Sequence, residues 1–194
     1  NYTDPDRIFI QSFEVSNLKD LKENIMPAAG VDIPLIQLLS SSGAPYDFVY
    51  HSVPQTYADL ITPNGLTQVY TYATGIGPDK RLIVPASAKL DDNRQPIDIN
   101  GDGQISDADR FLGTPTSLIN DAHKAGLLVH LYTLRSDPYF LSPDYQGQPL
   151  REYEQFIELG IDGYFTDFAN DGYAAKQKAI ASLRGRGHRR FTKH

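Results

Sequence analysis

The sequence predicts an α/β fold in which parallel strands alternate with helices. Short apolar runs recur along the 194 residues, and each is followed by a segment whose apolar residues repeat at helical spacing. This alternation is typical of a parallel sheet covered by helices. A Rossmann domain is disfavoured, because Gly75 and Gly77 form a G-x-G run without a third glycine or an opening helix.

The first predicted unit is a short strand followed by a helix. Residues 8–10 are apolar and lead into polar residues, which predicts a buried strand with a polar end. Apolar residues then recur at helical spacing over 18–25. Ser16 or Asn17 is the expected N-cap of this helix, and Pro27 is its expected end.

The next unit begins with a strand predicted at residues 34–39, where one polar residue lies among apolar ones. Residues 40–55 are rich in Ser, Gly and Pro and are expected to form a loop. Helical spacing returns over 66–72, and a short strand running into a turn is predicted at 73–80. Residues 82–84 either extend that strand or begin a helix, and the sequence leaves both open.

A polar connection and a helix follow. Residues 89–96 are polar and are expected to be a loop. Thr114 and Pro115 have the residue types of an N-cap and a first helical position. Apolar residues over 118–125 give this helix one buried face, and Gly126 is its expected end.

The last part of the chain contains the clearest strand, at residues 127–133. An amphipathic helix is predicted around 150–157, and Gly160 is expected to end it. Residues 161–168 are the last predicted strand, and 174–183 form a closing helix.

Composition and charge limit the classes of function. The formal net charge of −6 disfavours nucleic acid and anionic membranes as partners of the chain as a whole. No apolar run approaches the roughly 18 residues of a membrane-spanning helix. The absence of Cys excludes disulfides, thiolate catalysis and thiolate metal sites. Residues 184–194 form a basic tail that we expect to be disordered, and an Asn at position 1 suggests a processed chain or a fragment.

The segment 98–109 has the ligand order of an EF-hand-type calcium loop. It combines oxygen-bearing side chains at alternate positions with Gly103 at the sharp turn and an acidic residue at the end. The predicted Ca²⁺ ligands are Asp98, Asn100, Asp102, Gln104 and Asp109. The alternative is a solvated acidic turn without a metal.

The context of this loop differs from a complete EF-hand. Pro96 interrupts the position of an incoming helix, and the loop resembles that of a dockerin repeat present once. An Asp instead of a Glu at position 109 shortens the reach of the last ligand, which we expect to weaken bidentate binding. A calcium loop favours a periplasmic or extracellular location. Because the loop connects a predicted strand to the next helix, it is expected near the rim of a pocket, as a structural support separate from a catalytic metal.

Three polar residues in predicted strands have two interpretations each. Gln11 and Gln37 are amides in apolar strands, and a buried amide requires a hydrogen-bond partner. That partner is either a substrate or the neighbouring strand. His130 lies within a strand and faces either a ligand-binding lumen or the core, where it would be a hydrogen-bonded structural histidine.

The ordered set of strand ends resembles the C-terminal part of the glycerophosphodiester phosphodiesterase family, most closely its longer periplasmic-type members. The stretches that carry the resemblance are residues 9–14 with 17–19, 35–38, 75–79, 121–130 with 132–133, and 160–168. The resemblance implies the C-terminal portion of a TIM (β/α)8 barrel over residues 1–183. It also implies metal-dependent hydrolysis of glycerophosphodiesters to an alcohol and glycerol 3-phosphate, commonly with calcium. The substrate-binding residues it suggests are Gln11, Phe13, Gln37, His130 and Tyr132.

The chain departs from the family in the strands that carry catalysis. It has no His-Arg-Gly sequence, and no Glu-x-Asp strand stands ahead of Gln11. The catalytic residues and the ligands of the catalytic metal are therefore expected in a missing N-terminal part, which would be a partner of this chain. We expect the fragment alone to be inactive and poorly soluble, because half a barrel exposes apolar strand faces.

Two other functions remain open at this stage. One is a calcium-stabilised binding or structural module without catalysis. The other is an incomplete barrel that pairs with another chain through its open strand edges.

Overall fold

The computed structural model describes the backbone of residues 8–190 and the side chains of residues 8–182. In chain order the strands are β1 Ile10–Ser12, β2 Leu35–Leu39, β3 Gly75–Pro78, β4 Ala86–Ala88, β5 Arg110–Leu112, β6 Leu128–Leu134 and β7 Gly163–Thr166. Five of them form one sheet in the order β1-β2-β3-β6-β7, and the pairs β1–β2, β2–β3 and β3–β6 are parallel. The order follows the chain without reversal, as in a (β/α) barrel and unlike a doubly wound sheet. The predicted α/β fold with parallel strands is confirmed.

By their contacts, the described residues fall into two compact units. Of the described residues, the first draws on those up to Pro85, on Pro115–Tyr132 and on Ile161–Tyr164, and the second on Ala86–Thr114, on Thr133–Gly160 and on those from Phe165 onwards. The boundary crosses strands β6 and β7.

The register of the strands defines the two faces of the sheet in the first unit. Paired residues on neighbouring parallel strands point to the same side. Gln11 pairs with Ile36, Ile36 with Gly75, and Gly75 with Leu128. Two residues further along β6 from Leu128 is His130, so we call this side the His130 face. The opposite side contains Gln37 and its partners on β3 and β6, all of them fully buried.

The first helical segment continues through Pro27 and does not end there. It comprises α1 Val15–Asp20, a π-helical turn Leu21–Ile25, and α2 Met26–Ala29. Proline lacks an N–H and crowds the carbonyl of the preceding turn, and the wider π turn directly before it accommodates both effects. The helix ends at Gly30, whose φ of 69° is left-handed.

Three short helices follow β2. They are α3 Tyr46–Tyr50, α4 Tyr57–Leu60 and α5 Pro63–Tyr70. The prediction of a continuous loop over 40–55 is therefore wrong at α3. The first turn of α3 is held from a distant part of the chain, since the Asp47 N–H donates to Glu14 Oε2 at 2.7 Å.

The helices α6 Lys80–Ile83 and α7 Leu118–Lys124 complete the first unit. The sequence left residues 82–84 open between a strand and a helix; in the structure they lie at the end of helix α6, with Val84 as its C-cap. α7 starts later than predicted because Thr116 lies outside the helix: its hydroxyl donates to the Leu82 carbonyl at 2.8 Å.

The second unit contains a two-stranded antiparallel ribbon that the sequence did not predict. β4 pairs with β5, and this pairing closes the base of the excursion that contains the calcium-type loop. A 3₁₀ turn over Asp107–Asp109 leads directly into β5.

Two helices, α8 Pro149–Leu159 and α9 Ala169–Arg190, complete the second unit. Gly160 ends α8 with a φ of 99°, as predicted. The backbone of α9 extends beyond the predicted end at residue 183. Side chains after residue 182 and all of residues 191–194 lie outside the described part of the chain, so the disordered basic tail stays a prediction. In the described part, no helix is long and apolar enough to span a membrane.

Candidate active site

The imidazole of His130 packs closely against two neighbouring residues, Phe9 and Gly163. The ring of Phe9 meets the imidazole edge-on, with 4.7 Å between the ring centroids. Gly163 is also close to the ring: a Cβ atom at this position would approach His130 Cδ2 to 2.8 Å. Only a glycine at 163 leaves this space, so the position of the imidazole depends on a residue of the next strand in the sheet.

The imidazole of His130 is neutral at physiological pH. Partial burial lowers its pKa below the ordinary value of 6.5, and the negative charge of Asp162 opposes this effect only in part. A neutral imidazole has one hydrogen-bond donor and one acceptor, which suits a hydroxyl-bearing ligand.

An aromatic cluster lies at the carboxyl ends of β1 and β6. The ring centroid of Phe13 lies 6.0 Å from that of Tyr132 and 6.2 Å from that of Tyr57, both in edge-on geometry. The Tyr132 hydroxyl donates to the Leu39 carbonyl at 3.0 Å. Burial and the negative charge of Asp79 raise the pKa of Tyr132, so the hydroxyl stays protonated. Phe13 is 38% exposed, which leaves part of the cluster accessible to a ligand.

Gln37 is fully buried, and both ends of its amide are hydrogen-bonded within the protein. Nε2 donates to the carbonyls of Phe13 and Leu38, each at 3.0 Å, and to that of Ser12 at 3.3 Å. Oε1 accepts a hydrogen bond from the Tyr72 hydroxyl at 2.9 Å. The partners are protein groups: carbonyls at the end of the neighbouring strand β1, one carbonyl of β2 itself, and a tyrosine hydroxyl. In this structure Gln37 fixes the backbone at the end of β1, and its role in substrate binding stays a prediction.

Gln11 has the opposite environment. Its side chain is exposed and lies on the His130 face, so the expectation of a buried amide is wrong at this position. The short strand β1 is at the edge of the sheet formed by the described strands, and this edge leaves Gln11 uncovered. Gln11, Phe13, His130 and Tyr132 are thus on one side of the sheet, as a shared binding wall requires.

A pocket that the sequence did not reveal lies beyond the carboxyl end of β1, and we call it the tyrosine pocket. Its volume is about 630 Å³, within the range of small-molecule sites. The residues of the pocket that carry charge or aromatic rings are Glu14, Asp20, Tyr46, Asp47, Tyr50 and His51. Two signals in the sequence could have indicated it: an acidic residue directly after the first strand, and two tyrosines at i and i+4.

The calcium-type loop folds around its own backbone amides. Asp98 Oδ1 accepts the N–H of Gly101 at 2.7 Å, and its Oδ2 accepts that of Gly103 at 2.8 Å. Asn100 Oδ1 accepts the N–H of Asp102 at 3.0 Å. Both glycines have positive φ, at 75° and 81°, as the tight turns of the loop require.

The remaining predicted ligands continue this pattern. The Gln104 N–H donates to Asp102 Oδ1 at 2.8 Å. Asp109 is buried; its Oδ1 accepts the N–H of Ile99 at 2.7 Å and its Oδ2 that of Ser106 at 2.9 Å. The hydrogen bond from Ser106, more than any other contact, lowers the pKa of Asp109, so this carboxylate is ionised at neutral pH.

Comparison with known proteins identifies the family of the chain. A model of the glycerophosphoryl diester phosphodiesterase family matches residues 1–171. The chain belongs to this family. It is 31% identical over 162 residues to glycerophosphodiester phosphodiesterase GDPD6 of Arabidopsis thaliana, a match that covers 83% of the chain and 35% of the relative. With a glycerophosphodiester phosphodiesterase of Haemophilus influenzae the identity is 26% over 172 residues, covering 86% of the chain and 41% of the relative.

Among solved structures, the chain is similar to a putative glycerophosphoryl diester phosphodiesterase from Silicibacter pomeroyi. The TM-score is 0.44 and the identity 15%, with coverage of 91% of the chain and 39% of that structure. The chain therefore spans roughly two fifths of the length of these relatives.

The described residues do not fit the catalytic metal that the family resemblance implies. No group of three or more His, Asp or Glu side chains within the described part of the chain is placed to hold a metal ion. The acidic residues of the calcium-type loop lie in the second unit and accept backbone N–H groups, as described above. No step of the reaction can be assigned to a metal held by these residues.

Proposed function

We propose that the protein hydrolyses glycerophosphodiesters to an alcohol and glycerol 3-phosphate with a divalent metal ion. The observation that carries this proposal is the match of the family model to residues 1–171. The shared side of the sheet that presents Gln11, Phe13, His130 and Tyr132 supports it, because these residues belong to stretches that resemble the family.

In this proposal the chain supplies one wall of the substrate pocket. The edge of the Phe13 ring and the Tyr132 ring provide apolar contact, and the neutral imidazole of His130 can exchange hydrogen bonds with a glycerol hydroxyl. Gln37 acts indirectly by holding the carbonyls of Ser12 and Phe13. The general acid and base and the ligands of the catalytic metal belong to residues outside this chain, the proposed N-terminal part of the barrel.

The test is hydrolysis of several glycerophosphodiesters by the full gene product, measured with and without a metal chelator. We expect release of glycerol 3-phosphate that the chelator abolishes. The matched control is the 194-residue chain alone, which is expected to be inactive. Absence of turnover on every diester would refute the enzymatic function and would favour a calcium-stabilised binding module.

We propose further that Ca²⁺ binds the loop formed by Asp98, Asn100, Asp102, Gln104 and Asp109, as a structural ion. The support is the order of oxygen-bearing side chains in the sequence and the positive φ of Gly101 and Gly103, which give the loop its tight turns. To bind an ion, the carboxylates of Asp98, Asp102 and Asp109, which accept backbone N–H groups, would have to reorient towards one point. This proposal also predicts that the protein is in a calcium-rich compartment, periplasmic or extracellular. Fractionation of cells that express the gene tests the predicted location.

A further inference from the structure

The tyrosine pocket combines exposed aromatic rings with negative charge. Tyr46 and Tyr50 are adjacent on one side of α3, with 6.5 Å between their ring centroids, and they are 68% and 72% exposed. The ring of His51 meets Tyr50 edge-on at 5.0 Å. Rings that remain exposed at the wall of a pocket are available to a ligand, since their faces are not covered by the core.

Among the residues that the structure describes, no cationic side chain pairs with the Glu14 or Asp47 carboxylate of the pocket. Within the described part of the chain, the hydrogen-bonding partners of the Glu14 and Asp47 carboxyl groups are backbone N–H groups, the Ser16 side chain and each other, and none of these partners is cationic. The basic residues of the neighbouring helical segment are engaged elsewhere: Lys19 lies over the Tyr72 ring, and Lys22 pairs with Asp32. The pocket therefore presents unpaired negative charge beside aromatic rings.

Glu14 and Asp47 are held in place by two helix ends. The Glu14 carboxylate accepts the N–H of Asp47 at 2.7 Å, at the start of α3. Asp47 accepts the N–H of Ser16 at 2.6 Å, at the start of α1. Burial raises the pKa of Asp47, but the hydrogen bonds from the backbone and side chain of Ser16, from Glu14 and from the Phe48 N–H together outweigh it, so the pKa lies below its ordinary value and the ionised form is favoured.

The pocket adjoins the proposed substrate wall. Glu14 follows Phe13 in the chain, and the Phe13 ring contacts Tyr132. Tyr57 links the two: its ring meets that of Phe13, and it lies close enough to Glu14 and Asp47 for their charges to add to the effect of burial in raising its pKa.

We propose that the tyrosine pocket is a subsite for a cationic head group, the ammonium-bearing alcohol of a glycerophosphodiester such as glycerophosphocholine or glycerophosphoethanolamine. This inference rests on the proposed function and specifies its substrate class. Carboxylates attract the positive charge, and aromatic rings bind quaternary ammonium groups through cation–π interactions. A neutral or anionic head group gains neither contribution, so the pocket discriminates by charge.

The same carboxylates also cap two helices, and a test must separate binding from folding. Glu14→Gln and Asp47→Asn remove the charge and keep a side-chain oxygen that accepts the capping N–H. Glu23→Gln is the matched control, because Glu23 is exposed on the same helical segment, lies outside the pocket, and changes the net charge equally.

The first experiment measures binding without catalysis. Choline, tetramethylammonium and ethanolamine are titrated into the isotope-labelled full gene product, with inositol and glycerol as neutral controls. We expect saturable NMR shifts at Glu14, Tyr46, Asp47 and Tyr50, with a dissociation constant on the order of millimolar. Absence of these shifts, or equal shifts with inositol, would overturn the head-group subsite whatever the catalytic result.

The second experiment measures kcat/KM for glycerophosphocholine and for glycerophosphoglycerol. Glu14→Gln and Asp47→Asn are each expected to lower the value for glycerophosphocholine about fivefold through KM, and Tyr50→Leu about threefold. The value for glycerophosphoglycerol and the behaviour of Glu23→Gln should remain unchanged. Equal losses on both substrates would refute the subsite while leaving the hydrolase function intact.

Discussion

Gln37 and Gln11 show how two identical side chains in neighbouring strands take different roles. Gln37 is fully buried with four hydrogen bonds, whereas Gln11 is exposed. We expect Gln37→Leu to lower the free energy of unfolding by about 3 kcal/mol, because it leaves the Tyr72 hydroxyl and strand-end carbonyls without partners. Gln11→Leu, the matched control, should change it by less than about 0.5 kcal/mol. Urea denaturation of the full gene product measures both, and equal effects would contradict the structural role of Gln37.

The lowered pKa of His130 predicts that the stability of the folded protein depends on pH. Burial lowers its pKa below 6.5 in the folded protein, so the unfolded chain binds the proton more readily. The stability that the neutral imidazole contributes is complete above pH 6.5 and is lost as the pH falls through the lowered pKa. We expect wild type to lose more stability than His130→Gln between about pH 7.5 and pH 5. An NMR titration that places the pKa of His130 at or above 6.5 would contradict this.

At the scale of residues, the sequence could identify which side chains are unusual but could not give their surroundings. The amide of Gln37 in an apolar strand correctly indicated a buried polar group with a partner. Which partner it has depends on Tyr72, 35 positions away, and no local pattern encodes that contact. The tyrosine pocket escaped prediction for the same reason, since Glu14 and Asp47 meet across 33 positions.

The calcium-type loop is the element whose proposed ligand can be tested by removal. An ion that binds only the folded state stabilises it by about 2.7 kcal/mol when its free concentration is 100 times Kd. We expect EGTA to lower the melting temperature of the full gene product and added Ca²⁺ to restore it. Asp98→Ala and Asp102→Ala should abolish the Ca²⁺-dependent shift.

The control for this experiment is Asp91→Ala. Asp91 also accepts backbone N–H groups, from Asn93 and Gln95, but it lies before the loop. It should retain the full response to Ca²⁺. A melting temperature of the unsubstituted protein that does not respond to Ca²⁺ or EGTA would leave the loop as a solvated acidic turn.

At the scale of elements, strands and long amphipathic helices could be predicted, and short elements could not. Gly160 correctly marked the end of α8, because a left-handed residue there depends on local chemistry alone. The prediction that Pro27 ends the first helix was wrong, because the π turn that precedes it accommodates the missing N–H and the bulk of the proline ring. The ribbon of β4 and β5 pairs residues across the whole excursion that contains the calcium-type loop, a contact that periodicity within a segment cannot detect.

At the scale of the molecule, the fold class followed from the alternation of strands and helices, and the sheet order agrees with it. The proposed substrate wall would account for the polar and aromatic residues on the His130 face of this sheet, where a buried core would be aliphatic. Phe9 and Phe13 on the His130 face are 39% and 38% exposed. In the proposed complete barrel, further strands would cover these rings, whose exposure otherwise favours association.

This exposure predicts the behaviour of the 194-residue chain expressed alone. We expect it to bind anilinonaphthalene sulfonate strongly and to self-associate, because the uncovered rings of Phe9 and Phe13 attract dye and other chains. Phe9→Ser with Phe13→Ser should reduce both effects. Val49→Ser is the matched control: Val49 is 60% exposed but belongs to α3, so its substitution should change little. In the full gene product the paired Phe substitutions should instead lower stability, since we expect the remaining strands of the proposed barrel to cover Phe9 and part of Phe13. A monomeric chain that does not bind the dye would show that this face of the sheet needs no further strands to cover it.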